Sequence, residues 1–263
     1  MGELKRQVGP RPGGRVFTGR RKVRLGDVTT TGRLRLDALT RYTQDVSDDD
    51  TTDAGLDTEP AWVVRRTVVD VLTPAQLAET MEISTFCSGL GRRWAERRLC
   101  ISGSEGARYE AATLWICVDP ESGRPRELTE QFHTIYGPSA GGRTVKARLT
   151  IPKPERRQAS LDELDEPGER WPWPLRAVDF DTLGHVNNAA YWAVIEEVCS
   201  VEDQPAPFRA LLEYSSGVGL DDVLSILSGR RDGGVVTHHW YVGGQDAPAA
   251  AASVVELPAD LYR

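Results

Sequence analysis

The sequence predicts an α+β protein built from two like units in tandem, each a curved antiparallel sheet wrapped around one long helix. Three observations lead there. Runs rich in β-branched and aromatic residues, separated by turn signals, read as antiparallel strands. Each half also carries one helical stripe ahead of most of its strands. Finally, Gly26–Leu34 (GDVTTTGRL) can be laid on Val178–Val186 (VDFDTLGHV), so that Asp27 falls on Asp179, Thr30 on Thr182, Gly32 on Gly184 and Leu34 on Val186. An apolar sheet face must be covered, so two such units give two sheets, each with its own helix.

The elements follow in order. The first residues (MGELKRQVGPRPGGR) read as a frayed lead-in, and Arg15 to Leu36 as extended chain with hydrophobes spaced among arginines. A helix comes next, with Asp37 as N-cap and Leu39, Tyr42 and Val46 at helical spacing. It ends in SDDDTTDAGL, where Gly55 supplies a turn. SDDDTTD lacks the glycine and terminal glutamate of a calcium loop and reads as a solvated loop. Strands are expected at Trp62–Leu72, Met81–Cys87, Arg93–Ser102 and Tyr109–Val118, the second and third flanking a bend at 88–91. From Gly137 to Pro174 prolines and glycines punctuate a charged stretch containing LDELDEPGER, a linker with room for a short helix. The units are therefore placed at 1–140 and 175–263, with 141–174 between them. Trp171 and Trp173 are expected to pin the linker to the second unit.

The second unit repeats the pattern. Pro174–Asp181 reads extended, and Tyr191, Val194, Ile195 and Val198 form a helical stripe. Strands follow at Phe208–Ser215, Asp222–Leu227, Val235–Val242 and Ala250–Leu257, with Gly-Gly pairs at 233–234 and 243–244 marking turns. His238 and His239 are adjacent in a strand, one facing in and one out, and read as structural filling.

Composition narrows the function classes. A net charge of −7 argues against general nucleic-acid binding. No run of about 18 apolar residues exists to span a membrane. The N-terminus has no apolar stretch behind its charges, so a cytoplasmic protein is expected rather than a secreted one. Cys87, Cys100, Cys117 and Cys199 form no CxxC pair and read as buried thiols. Neither they nor the four histidines have metal-ligand spacing, so no metal and no organic cofactor are expected.

The densest polar stretch is DFDTLGHVNNAAYWAVIEEV, Asp179 to Val198, at the start of the second helix. Asp181, Asn187 and Asn188 are residue types that cap helices and make turns, and equally types that perform chemistry there. Asp181-x-x-x-His185-Val186-Asn187-Asn188, followed by Tyr191 and Glu196, resembles the C-terminal catalytic motif of acyl-acyl carrier protein thioesterases. LTRYTQDVSDDDTTDAGL, SGLGRRWAERRLCI and ATLWICVDPESGRP are similar to the family's first helix and following strands. The resemblance implies a tandem hot-dog fold, with the acyl chain taken up by the N-terminal unit and thioester hydrolysis carried out by the C-terminal one.

On that reading Asp181 is the base toward water, or a direct nucleophile. His185 holds the carbonyl or the water, and Asn187 or Asn188 orients one of these groups. Free N–H groups at the helix start form the oxyanion site. The first unit has Thr29 opposite Asp181 and Arg33 opposite His185, and so has no base at that turn. Trp62 and Trp115, with Val46 and Val64, are expected along the acyl site. Arg92, Arg93 and Arg97, near Arg65, Arg66 and Arg98, suit an acidic acyl carrier protein and its phosphopantetheine arm, or else form a solvated strand face. Acyl-CoA is the rival substrate, and a homodimer is left open. Two positions depart from the family: Leu183 stands where it has asparagine, and Gly217 where the plant enzymes have glutamate. A catalytically weak or inactive acyl-thioester binder is the alternative those departures raise. A hot-dog hydratase ranks below both, because its motif ends H-x-D.

Overall fold

The computed structural model describes residues 8–56, 61–151, 169–198, 206–231, 235–243, 247–258 and 260–262. In the first unit β1 (Phe17–Lys22) leads through a 3-10 turn at Leu25–Asp27 into α1 (Leu36–Asp53), followed by β2 (Ala61–Thr73), β3 (Thr80–Leu90), β4 (Trp94–Gly103), β5 (Arg108–Val118) and α2 (Glu130–Ala140). In the second, β6 (Glu169–Trp173) leads through a 3-10 turn at Ala177–Asp179 into α3 (Ala190–Val198), then β7 (Phe208–Tyr214), β8 (Leu224–Arg231), β9 (Val235–Val242) and β10 (Ala250–Glu256).

The strands form one ten-stranded sheet in the order β1-β3-β4-β5-β2-β7-β10-β9-β8-β6. Read inward from its two edges, the order is the same list twice, displaced by five strands, which is the duplication expressed as topology. The expectation of two separate sheets is corrected here. β2 and β7 pair antiparallel from Arg66–Glu213 to Val71–Phe208 and fuse the halves. Each strand would otherwise leave a row of unpaired N–H and C=O groups. An ion pair locks the join: the fully buried carboxylate of Asp70 on β2 takes the Arg209 guanidinium of β7 through both oxygens (2.5 and 2.7 Å) and accepts the Tyr262 hydroxyl. One core serves both halves, with Leu39, Val46, Ile83 and Leu99 in the same cluster as Trp192, Ile195, Ala210 and Trp240.

α1 buries Leu36, Leu39 and Val46 together with Thr40, Thr43 and Ser47, whose hydroxyls bond back to helix carbonyls three or four residues earlier. Its N-cap is Arg35 rather than Asp37. Asp37 lies in the first turn, where negative charge complements the helix dipole. Burial opposes its ionisation, but hydrogen bonds from Arg35 and Arg41 hold its carboxyl below the usual range.

SDDDTTD is not a loop but the last turns of α1. Asp50 is buried there, bound by Arg15 (2.8 Å), Arg97 and Tyr136 (2.8 Å). Gly55 makes the turn after the helix, with φ +68°. The stretch read as linker begins with the end of α2, capped by Thr129 at one end and left-handed Gly141 at the other. It continues as a strap whose Thr150 and Ile151 amides bond the buried Glu213 carboxylate (2.6 and 2.9 Å), and it ends in β6. Trp171 and Trp173 sit in that strand, edge to face at 5.6 Å. All of LDELDEPGER but its last two residues, which open β6, lies outside the described residues, as do Cys199 and all the glycines of the two Gly-Gly turns except Gly243. His238 and His239 are both buried, correcting the one-in, one-out expectation, because β9 is covered on both faces.

Candidate active site

The stretch before each helix folds the same way in both units, with a constant offset of 152 residues (Asp27 to Asp179). The Asp27 and Asp179 carboxylates accept the amides of Arg24 (3.0 Å) and Arg176 (2.8 Å). Thr29 N–H donates to the Arg33 carbonyl (2.8 Å) as Asp181 N–H does to that of His185 (2.9 Å). Gly32 and Gly184 close the two turns at φ +89° and +72°, a backbone region where a side chain is strained. The Leu34 and Val186 amides bond the Ala75 and Val218 carbonyls, 2.9 Å each.

On this shared scaffold the side chains differ. Asp181 is half-buried. Its Oδ1 accepts from the Leu183 (2.9 Å) and His185 (3.3 Å) amides, which fixes the carboxylate within its own turn, and its Oδ2 has no hydrogen-bond partner among the described residues. Burial raises the Tyr191 hydroxyl, and the nearby charges of Asp222 and Asp181 raise it further, which places both carboxylates within electrostatic reach of the first turn of α3. His185 is exposed, and its ring lies against Gly217, where a Cβ would stand 2.8 Å from the ring's Cδ2. The adjacent asparagines part company. Asn187 caps the helix, its Oδ1 taking the Ala189 amide at 2.8 Å. Asn188 turns into the seam between the helices: its carbonyl accepts the Tyr214 hydroxyl (2.9 Å), while its N–H and side chain have no hydrogen-bond partner among the described residues.

The start of α1 meets the far part of α3, and the start of α3 meets the middle of α1. At the start of α1, Glu196 reaches across. Its Oε1 takes the Leu36 amide at 2.5 Å, and its carboxylate pairs with Arg33 (2.5 and 3.2 Å). At the start of α3, Asn188 shares a crevice of about 10 Å³ with Thr40, Thr43, Gln44, Ser47, Thr67, Thr113 and Tyr214, room for about one water. Gln44, Ser47 and Trp115 also line a much larger cavity of about 450 Å³ inside the first unit. Leu56, Trp62, Cys87, Ala95, Phe132 and Tyr136 form its apolar wall, and Asp48, Thr51, Thr52, Glu96 and Arg97 line it on other sides. Burial pushes the Cys87 thiol up to about 11, so it is protonated at neutral pH.

The residues singled out from sequence thus occupy three places. Asp181, His185, Asn187 and Asn188 share one turn and helix start. Trp62 and Trp115 stand in the cavity wall, as does Arg97, whose guanidinium is spent on Asp50 and Tyr136. Arg92 and Arg93 are exposed at the β3–β4 turn, apart from the cavity, with Arg92 paired to Glu127. Sequence reasoning missed Gln44, Ser47 and Tyr214. The signal was present for Gln44: the offset that pairs Asp27 with Asp179 also pairs Gln44 with Glu196.

Two family models match the chain: the acyl-ACP thioesterase N-terminal domain over residues 14–136 and the acyl-ACP thioesterase C-terminal domain over residues 163–254. An uncharacterised protein of Mycobacterium tuberculosis, present in strains H37Rv and CDC 1551 / Oshkosh, is 34% identical over 240 residues, covering 90% of this chain and 91% of that one. Among solved structures, an acyl-ACP thioesterase from Bacteroides thetaiotaomicron VPI-5482 superposes with a TM-score of 0.71 at 16% identity, covering 91% of this chain and 97% of that one. A 12:0-ACP thioesterase from Umbellularia californica gives 0.70 at 20%, covering 91% and 96%. Those two likenesses bear on the fold. No helix among the described residues is long and apolar enough to cross a membrane.

Proposed function

This chain belongs to the acyl-ACP thioesterase family, and from that premise we propose that it hydrolyses its substrate at the start of α3, with the acyl chain lying in the cavity of the first unit. Its fold is the tandem hot-dog and its chemistry the hydrolysis of fatty acyl thioesters. The observation that carries the location is the contrast between the two helix starts. The Leu36 amide is occupied by a carboxylate, whereas the equivalent Asn188 amide has no hydrogen-bond partner among the described residues, and Asn188 lines a crevice that shares residues with the acyl-sized cavity.

In this reading the thioester carbonyl oxygen sits on the Asn188 N–H, where helix-terminal charge favours the negative charge that develops on it. Oδ2 of Asp181 takes a proton from water, and the water oxygen bonds to the acyl carbon. The intermediate collapses, the carbon–sulfur bond breaks, and the departing thiolate takes the proton back from Asp181. The products are a carboxylic acid and a thiol. His185, exposed beside the turn, orients the water. Acyl carrier protein is the carrier that the family implies, and the exposed guanidinium groups of Arg92 and Arg93 suit an acidic partner.

Incubation with acyl carrier proteins and CoAs bearing graded acyl chains tests this. Wild type is expected to release free acid, and Asp181→Ala to lose about 10² to 10⁴ in kcat. An Asp181→Ala variant as fast as wild type would remove the proposed base. A wild type that binds acyl thioesters without turnover would establish a binder instead.

A further inference from the structure

We propose that Gln44 is a catalytic residue of this site: its side-chain amide donates the second hydrogen bond to the thioester carbonyl oxygen, beside the Asn188 N–H. The proposal rests on the reaction site argued above and adds a group from the first unit to it.

The argument comes from the duplication. Position 44 is the counterpart of 196, and Leu36 is the counterpart of Asn188, in the register shown by the paired turns. At one crossing the helix-start amide faces a glutamate, whose oxygen it binds at 2.5 Å. That contact shows where an oxygen rests when it is held by this amide, and that a side chain at this position on the opposing helix reaches it. At the other crossing the opposing side chain has the same length, but it is a neutral amide. A carboxylate only accepts, so it competes with a substrate oxygen for the N–H. A carboxamide carries two donors and turns them toward an incoming oxygen.

Two further observations agree. The Gln44 side chain has no hydrogen-bond partner among the described residues, in a seam where the neighbouring hydroxyls of Thr40, Thr43 and Ser47 bond back to α1 and that of Tyr214 is held by Asn188. Gln44 also lines both the crevice at Asn188 and the large cavity, so it stands at the junction an acyl chain crosses between its tail and its carbonyl.

The test compares wild type, Gln44→Met, Gln44→Glu and Asp181→Asn, each as the full chain, on a saturated acyl-CoA and the matching acyl carrier protein. Circular dichroism and urea melts verify folding. Gln44→Met keeps the length and removes the donors, so kcat should fall about 10²-fold with KM within about threefold. Gln44→Glu reproduces the occupied crossing. It should be slower still at pH 8 and recover as the pH falls through its carboxyl pKa, a pH profile that neither wild type nor Gln44→Met shows. If Gln44→Met fails to fold, that profile alone decides. Both variants within threefold of wild type in kcat, or a Gln44→Glu profile parallel to wild type, overturn the proposal while leaving the hydrolase reading intact. Full activity in Asp181→Asn with loss in Gln44→Met removes the proposed base but keeps Gln44. A wild type inactive on every thioester overturns both readings.

Discussion

Replacing Glu196 by glutamine should cost about 3 kcal/mol of stability and leave hydrolysis within about twofold of wild type. The carboxylate makes three charge-assisted hydrogen bonds, to Arg33 at 2.5 and 3.2 Å and to the Leu36 amide at 2.5 Å. Such bonds are worth about 1.5–3 kcal/mol each, against about 0.5–1.5 for neutral ones. Glutamine keeps a single acceptor and loses the charge. The larger part of the cost falls on Arg33. Its side chain is 12% exposed and that of Glu196 is 9%, so water does little to screen what is lost. Breaking such a pair from one side typically costs about 3–5 kcal/mol. The lower end applies because Arg33 Nη1 also bonds the Leu34 carbonyl at 2.9 Å. Its Nε has no hydrogen-bond partner among the described residues, so little beyond that carbonyl holds the guanidinium. Urea denaturation of wild type, Glu196→Leu, Arg33→Met and the Arg33→Met/Glu196→Leu double variant closes the cycle, with Glu196→Gln measured beside it. The double variant should recover most of the loss, since a well-packed apolar pair replaces a buried ion pair at little cost. A Glu196→Gln penalty below about 0.5 kcal/mol at unchanged m-value would refute the reasoning. So would a large loss of activity, because this crossing would then belong to the reaction site.

Two other outcomes follow from the interior. Burial, aided by the neighbouring His239, lowers the pKa of His238 to about 3, against about 6.5 in the unfolded chain. The unfolded state therefore binds the proton first. Stability is unaffected by this group above about pH 6.5 and declines as the pH falls toward 3, by up to about 1.4 kcal/mol per unit. Urea melts between pH 7 and 5 on wild type and His238→Asn should show that slope only in wild type. In the cavity, Ala95→Phe on β4 shortens the space for the acyl chain. Each methylene denied burial costs about 0.8 kcal/mol, so a substrate that loses three should show a KM about fiftyfold higher. Shorter chains should be unaffected, and a uniform loss across chain lengths would place the acyl group elsewhere.

The parts of this molecule legible in its sequence are those fixed by local chemistry. Gly32 and Gly184 each close a turn that only a left-handed residue closes comfortably, and Asp27 and Asp179 each cap a 3-10 turn. The duplication was therefore readable from nine residues, and the strands from their valines. What escaped depends on distant partners. SDDDTTD has a loop's composition, and only distant arginines, Arg15 and Arg97, bury its Asp50 and anchor the stretch as a helix end. α2 was hidden by Gly137 and Pro138, which fall in its last turns, although Thr129 and Gly141 marked its ends. The merging of two sheets through β2 and β7 is set by edges, which sequence does not display. Asn187 and Asn188 were indistinguishable as letters; the direction of one turn makes the first a cap and points the second into the seam. Arg97 looked available for a carrier phosphate because Asp50, which claims it, lies 47 residues away. Gly217, noted only as a missing glutamate, proves to be the surface against which the His185 ring rests.

The shared ladder between β2 and β7 also decides how this chain tolerates being cut. Alone, either half would present a bare strand edge six residues long, with Thr67, Val69 and Val71 on one or Phe208, Ala210 and Leu212 on the other. Such an edge recruits any strand it meets. A gene divided within residues 152–168 should therefore yield two polypeptides that precipitate when made separately and assemble when made together, each acting as the other's chaperone.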